Sequence, residues 1–139
     1  MIFILDTCVV SEIQKPQPCQ KVLDWLLLQP ENDLFVSALT LGEIEKGISR
    51  LPESSKKHFL NIWFQDDFLK RFDGRVVAVD SAVALKWGSL SSSLERIGKK
   101  MPVIDGLLAA TALNLNAVLV TRNENDFVST GVAIVNPWN

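Results

Sequence analysis

The sequence predicts an α/β sandwich, a mostly parallel sheet of four or five strands with helices on both faces. Two observations carry this expectation: short, wholly aliphatic runs, and helical patterns between them. The length, 139 residues, fits one compact domain spanning 1–139. Aliphatic strands that lack polar alternation suit a sheet covered on both sides.

Residues 2–5 (IFIL) read as the first buried strand. A helix over 22–28 follows, beginning near Pro18, because proline is tolerated in a first helical turn. Pro30, Asn32 and Asp33 mark a turn before the second strand, 34–38 (LFVSA). Thr40 then opens a helix in which Ile44, Ile48 and Leu51 recur at helical spacing, and Pro52 ends it. A longer helix covers about 54–72. Its Phe59, Leu60, Trp63, Phe64, Phe68, Leu69 and Phe72 exceed what one buried stripe needs. Core packing and a groove for a partner helix both fit that excess, and the same choice applies to Trp25 and 26–28. Asp73-Gly74 is a turn, 76–79 (VVAV) the third strand, and Asp80 the cap of a helix through Trp87. Ser91-Ser92-Ser93 reads as helix or a brief loop. Gly98-Lys99-Lys100 is a loop, and Pro102 leads into a helix over 103–115. Strands four and five are 117–120 (AVLV) and 133–135, the last ended by Pro137.

Composition narrows the function classes. An apolar fraction of 47% excludes a disordered or acidic solvating segment. Fourteen basic against sixteen acidic residues give net −2, so any nucleic-acid contact must come from a local patch. Cys8 and Cys19 make no spaced metal pattern, and with His58 the single histidine no zinc site is expected. The apolar runs are too short or too interrupted to span a bilayer, and Asp6 inside the first run argues against a signal peptide. A soluble cytoplasmic protein with reduced thiols is expected.

In a parallel α/β sheet the ligand site lies outside the carboxyl ends of the strands, where the helix N-termini also point. That rule gathers distant acids onto one rim. Asp6 follows strand one, Glu43 sits early in the helix after strand two, and Asp105 lies in the first turn of the helix before strand four. Asn123, Glu124 and Asp126 follow strand four. Each also has a plain structural reading. Asp6 can cap a helix, Thr40-x-x-Glu43 can be a capping box, Asp105 can complement a helix dipole, and Asp126 can serve a turn. Taken together they are harder to explain structurally, since two carboxylates ~4 Å apart repel by about 4 kcal/mol at an effective dielectric near 20. A hard divalent cation, Mg²⁺ or Mn²⁺, answers that repulsion and suits phosphodiester hydrolysis.

Four segments carry a resemblance: Ile4-Leu5-Asp6-Thr7, Leu41-Gly42-Glu43-Ile44, the run from Pro102 through Asp105-Gly106 to Ala112, and Leu119-Val120-Thr121-Arg122-Asn123 with Asp126-Phe127. In order and spacing they resemble the successive motifs of PIN-domain ribonucleases. The chain is most similar to the VapC toxins of type II toxin–antitoxin modules and, within them, the FitB-like branch, which the ending Val135-Asn136-Pro137-Trp138 also resembles. The resemblance implies a PIN-like three-layer sandwich and an Mg²⁺- or Mn²⁺-dependent endoribonuclease that cuts cellular RNA. It implies a VapB/FitA-like antitoxin as partner, operator DNA reached only through that antitoxin, and a homodimer. It places catalytic and metal-binding roles on Asp6, Glu43, Asp105 and Asp126, with Asn123 a further metal ligand and Thr7 and Thr121 in support. Family members often carry an acid where this chain has Asn123, so Asn123 and Asp126 stay open as the fourth ligand, with Glu124 behind them. Cys8 stands where the family's first motif has Asn; it reads as a small buried residue behind the site.

RNA needs positive charge near the rim. Lys46 and Arg50 share a helix face with Glu43, Arg122 adjoins Asn123, and Lys99 and Lys100 precede the Asp105 helix. Competing readings are a phospho-acceptor receiver with Asp80 as acceptor, a nuclease on structured DNA, and a degenerate PIN domain that binds RNA or a partner without cleavage. The receiver lacks paired acids after strand one and a lysine after the last strand.

Overall fold

A computed structural model describes residues 1–139. Five strands form one sheet in the order β3-β2-β1-β4-β5, all neighbours parallel: β1 (Phe3–Leu5), β2 (Leu34–Ser37), β3 (Val76–Val77), β4 (Val118–Val120) and β5 (Ala133–Val135). Each matches an aliphatic run of the sequence. Around them lie α1 (Thr7–Ile13), α2 (Gln20–Leu28), α3 (Ala38–Ser49), α4 (Ser55–Ile62), α5 (Leu69–Arg71), α6 (Ser81–Arg96), α7 (Val103–Asn114) and α8 (Glu124–Phe127).

Alternation along β1 separates two cores. Phe3 and Leu5 join Val9, Val10, Val22, Ile44 and Phe64 on one face. Ile4 joins Leu108, Ala109, Ala112 and Phe127 on the other. Successive strand side chains point to opposite faces, so three consecutive apolar residues serve both layers of helices. The strand order reverses direction at β1 and β4, which pair from Phe3↔Val118 to Leu5↔Val120. That switch point is where a doubly wound sheet opens a crevice at its carboxyl edge.

Several elements differ from expectation. The sequence predicts no separate helix over 7–13, yet α1 begins directly after Asp6. The second helix starts at Gln20 with Cys19 as its N-cap, two residues past Pro18. The third starts at Ala38, with Ser37 Oγ accepting from Leu39 N at 3.1 Å, rather than at Thr40. The fourth is not one α-helix: a π-helical segment, Trp63–Phe68, interrupts it. There Phe64, Phe68 and Phe72 bury and pack ring on ring, with centroids 5.9 and 4.8 Å apart. Phe59 and Ile62 stay exposed, as do Leu27 and Leu28 of α2, so only part of the apolar excess is core. The helix after Asp80 runs past Trp87 to Arg96, and the three serines continue it, Ser93 Oγ donating to Ser89 O at 3.1 Å. No helix is long and apolar enough to cross a membrane.

Candidate active site

Asp6 stands at the switch point. Its backbone N–H extends the β1–β4 ladder by donating to Val120 O at 2.9 Å. Its side chain is buried and hydrogen-bonded through both oxygens: Oδ1 accepts from Thr7 N at 2.7 Å, and Oδ2 accepts from Thr121 Oγ1 at 2.8 Å. Asp6 is therefore the N-cap of α1 and a member of the rim at once. The Thr121 hydroxyl in turn accepts from Asn123 N at 3.0 Å, so one threonine ties the loop after β4 to the acid after β1. Cys8 Sγ donates weakly to Asp6 Oδ2 at 3.7 Å and lies 3.8 Å from Thr121 Oγ1. Burial, and then the Asp6 charge, push the Cys8 thiol pKa up, so it stays protonated. Cys8 stands behind Asp6 as expected, but it is only partly buried rather than buried.

Glu43 projects from the second turn of α3 because that helix begins at Ala38. The capping box is consequently not formed. Instead Glu43 Oε1 accepts from Thr7 Oγ1 at 2.7 Å, and the Thr7 hydroxyl also stands 3.1 Å from the buried Thr40 hydroxyl. The first residue of α1 thus steadies the acid of α3.

Asp105 sits in the first turn of α7, half-buried. It has no ion-pair or hydrogen-bond partner among the side chains of the chain. Its carboxyl pKa is raised, first by burial and then by the negative charges of Asp6, Asp126 and Glu43. The four acids collected from distant segments therefore lie within one electrostatic field. Glu124 does not act on Asp105; its Oε2 accepts from Asn136 Nδ2 at 2.8 Å. Asp126 is the acid of this loop that faces the cluster.

No three His, Cys, Asp or Glu side chains converge on one point at ligating distance. The carboxylates share a field and not a formed coordination sphere. The donor set is oxygen throughout, and like charges without a cationic partner suit a hard divalent ion. Shallow hollows adjoin the acids. One of about 320 Å³ is lined by Glu43, Lys46, Val79 and Ile104, among others. Another, of about 300 Å³, is lined only by residues 122–126. Lys46 and Arg122 thus reach the rim. Arg50 lies at the exposed far end of α3 and Lys99 and Lys100 in the exposed loop before α7, and no contact ties these three to the acids.

Sequence reasoning missed a close contact at the residue after Asp105. A Cβ at Gly106 would stand 2.9 Å from Trp87 Nε1 and 3.0 Å from its Cδ1. The missing side chain lets the indole of α6 press against the first turn of α7 beside Asp105. The available signal was a glycine placed inside an otherwise apolar, alanine-rich helix.

The PIN-domain profile matches residues 3–132. The chain belongs to the PIN-domain family. Among curated relatives it is 33% identical over 138 residues to the toxin FitB of Neisseria gonorrhoeae, covering 99% of both chains. It is 30% identical over 137 residues to the VapC ribonuclease Y4jK of Sinorhizobium fredii, covering 99% of this chain and 98% of that one. In structure it superposes on the FitB-containing complex FitAB bound to a DNA fragment with a TM-score of 0.94 at 33% identity, covering 99% of this chain and 96% of that one. VapBC2 of Rickettsia felis, bound to a promoter DNA fragment, gives 0.81 at 26% identity and 98% coverage of each chain. The PIN-like α/β sandwich expected from the sequence is the observed fold, and the relatives include a toxin, FitB, and a VapC ribonuclease.

Proposed function

We propose that this chain, as one PIN domain spanning 1–139, is the toxin of a type II toxin–antitoxin module and a divalent-metal-dependent endoribonuclease acting on cellular RNA in the cytoplasm. One observation carries the reading: Asp105, half-buried and without a partner of its own, is pushed toward its protonated form first by burial and then by the charges of Asp6, Asp126 and Glu43. A structural role for any single acid does not explain why four share one field with no cation among them.

Asp6, Glu43, Asp105 and Asp126, with the neutral oxygen of Asn123, are the residues that would hold Mg²⁺ or Mn²⁺. Such an ion, when bound, makes water a nucleophile at neutral pH and offsets charge on the departing oxygen. The chain's own residues prepare that chemistry. Thr121 and Thr7 N fix both oxygens of Asp6, so its carboxylate presents only its remaining lone pairs to the rim. Thr7 Oγ1 holds Glu43 in the same way. Lys46, Arg50 and Arg122 are proposed to neutralise phosphates on either side of the cut.

The partner proposed is a VapB/FitA-like antitoxin that covers the acids and carries DNA binding for the pair, with the toxin itself a homodimer. Relatives solved as FitAB and VapBC2 with DNA support this assignment. The test is cleavage of RNA in Mg²⁺ or Mn²⁺ by the purified chain, by Asp6→Asn and by Asp105→Asn. Loss in both variants with the fold retained is expected. Undiminished cleavage in both refutes the site. An intact wild-type chain that binds RNA and never cuts it leaves the degenerate, non-cleaving PIN domain, the reading that Cys8 beside Asp6 favours.

A further inference from the structure

After β5 the chain turns at Asn136, Pro137 and Trp138 and folds back on the loop that carries Arg122, Asn123 and Asp126. Asn136 Oδ1 accepts from Trp138 N at 3.0 Å, closing a turn on its own backbone. Pro137 is buried, and Trp138 is half-buried against the core beneath α1 and α2. The turn is thus anchored from below. It grips the loop at two points. Asn136 Nδ2 donates to Glu124 Oε2 at 2.8 Å, and the Arg122 guanidinium stands over the Trp138 ring, 5.2 Å from its centroid.

These two contacts sort the charges of the loop. Arg122 is exposed and forms no salt bridge with any acid, so its donors are free for a ligand while the ring limits where the guanidinium goes. Glu124, two residues away in the same loop, has its carboxylate taken up by the Asn136 amide and forms no ion pair with Arg122.

We propose that the turn at 136–138 is a clamp that holds Arg122 ready for an RNA phosphate and keeps Glu124 away from it. Trp138 and Asn136 are positioning residues, acting through Arg122 and Glu124. The inference rests on the ribonuclease reading above and adds residues that reading does not use.

The test measures binding of a labelled single-stranded oligoribonucleotide of mixed sequence in EDTA, across a salt series, by fluorescence anisotropy. Arg122→Ala should flatten the log–log salt slope by about 0.7, the value for one phosphate contact on a single strand. Trp138→Ala should weaken binding about fivefold, the worth of one exposed cation–π contact, and Trp138→Phe should retain wild-type affinity. The double variant Arg122→Ala/Trp138→Ala should bind no worse than Arg122→Ala alone. Asn136→Ala should weaken binding by freeing Glu124, and adding Glu124→Gln should restore it. If Trp138→Ala does not fold, the Asn136→Ala and Asn136→Ala/Glu124→Gln pair decides the matter alone. A Trp138→Ala chain with a lowered melting temperature but wild-type affinity and slope overturns the clamp, as does a loss that adds in full to that of Arg122→Ala. Failure of the wild-type chain to bind the strand removes the phosphate role of Arg122 and the clamp with it; binding without cutting in Mn²⁺ counts against the ribonuclease reading alone, and the variants still decide the clamp.

Discussion

Glu12 and Asp105 are both acids drawn away from water, and the protein treats them in opposite ways. Glu12 is buried in α1 and satisfied: Oε2 accepts from Cys19 N at 2.9 Å and Oε1 from Lys15 Nζ at 3.0 Å. The Cys19 amide foremost, then the Lys15 hydrogen bond, hold its pKa below the ordinary value. It closes the segment 14–19 between α1 and α2. Asp105 has no such partner and is pushed the other way by burial and three like charges. Glu12 is paired with a cation; at the rim Asp6 and Glu43 are held only by neutral donors and Asp105 by none, a cost that a ligand cation can relieve. Unpaired charge is thus the mark that separates the site from ordinary buried polarity.

Linkage makes the contrast measurable. Glu12, with its folded pKa lowered, contributes stability above its unfolded pKa, and that contribution is lost as pH falls through the folded value. Asp105, with its folded pKa raised, does the reverse. Below its unfolded pKa it costs nothing, and its penalty grows as pH rises through the raised value.

The largest expected effect is on Asp105. Asp105→Asn should lower metal-dependent RNA cleavage by about a thousandfold, the several kcal/mol that an ion supplies to such a transition state. The same variant should raise the melting temperature of the metal-free chain at neutral pH, and the gain should vanish in acid. Added Mg²⁺ should stabilise the wild type more than this variant. A melting temperature unchanged by Asp105→Asn from acid to neutral pH would break the contrast.

Glu12→Ala should do the opposite: about 2 kcal/mol of stability lost in urea denaturation, because the Cys19 N–H is left without its acceptor, with cleavage by the folded fraction preserved. Gly106→Ala comes next. Its Cβ collides with the Trp87 indole, so about 1–2 kcal/mol should be lost despite the better helix propensity of alanine, with reduced Mn²⁺ affinity. Trp87→Ala in the same chain should recover part of that affinity, measured by calorimetry. The smallest effect belongs to Thr7→Val and Thr121→Val, each expected to weaken Mn²⁺ binding about tenfold through a loosened Glu43 or Asp6. Valine variants that bind Mn²⁺ like wild type would show that neither hydroxyl orients its acid.

Much of this was legible in residue order. Five aliphatic runs became five strands, because a run too short for a helix and apolar on both sides has few other places to go. Asp6, Glu43 and Asp105 fell on one rim by the rule that parallel strands share a carboxyl edge. The capping box at Thr40 misled, since a local pattern that satisfies backbone donors competes with any other N-cap nearby, and Ser37 won. The π segment was invisible for a similar reason: aromatic residues four apart read as ordinary helix until three rings had to stack in one core.

Sequence by itself determined the layers, the acids available and the ion chemistry they suit, because hydrophobic period and side-chain donor type are local properties. Only the tertiary structure decided which acids act on one another. Asp126 and Glu124 are two residues apart and equally acidic, yet Asn136 takes one and the shared field takes the other. That choice depends on which distant segment packs against the loop, and Coulomb and hydrogen-bond energies answer to distance in space rather than along the chain.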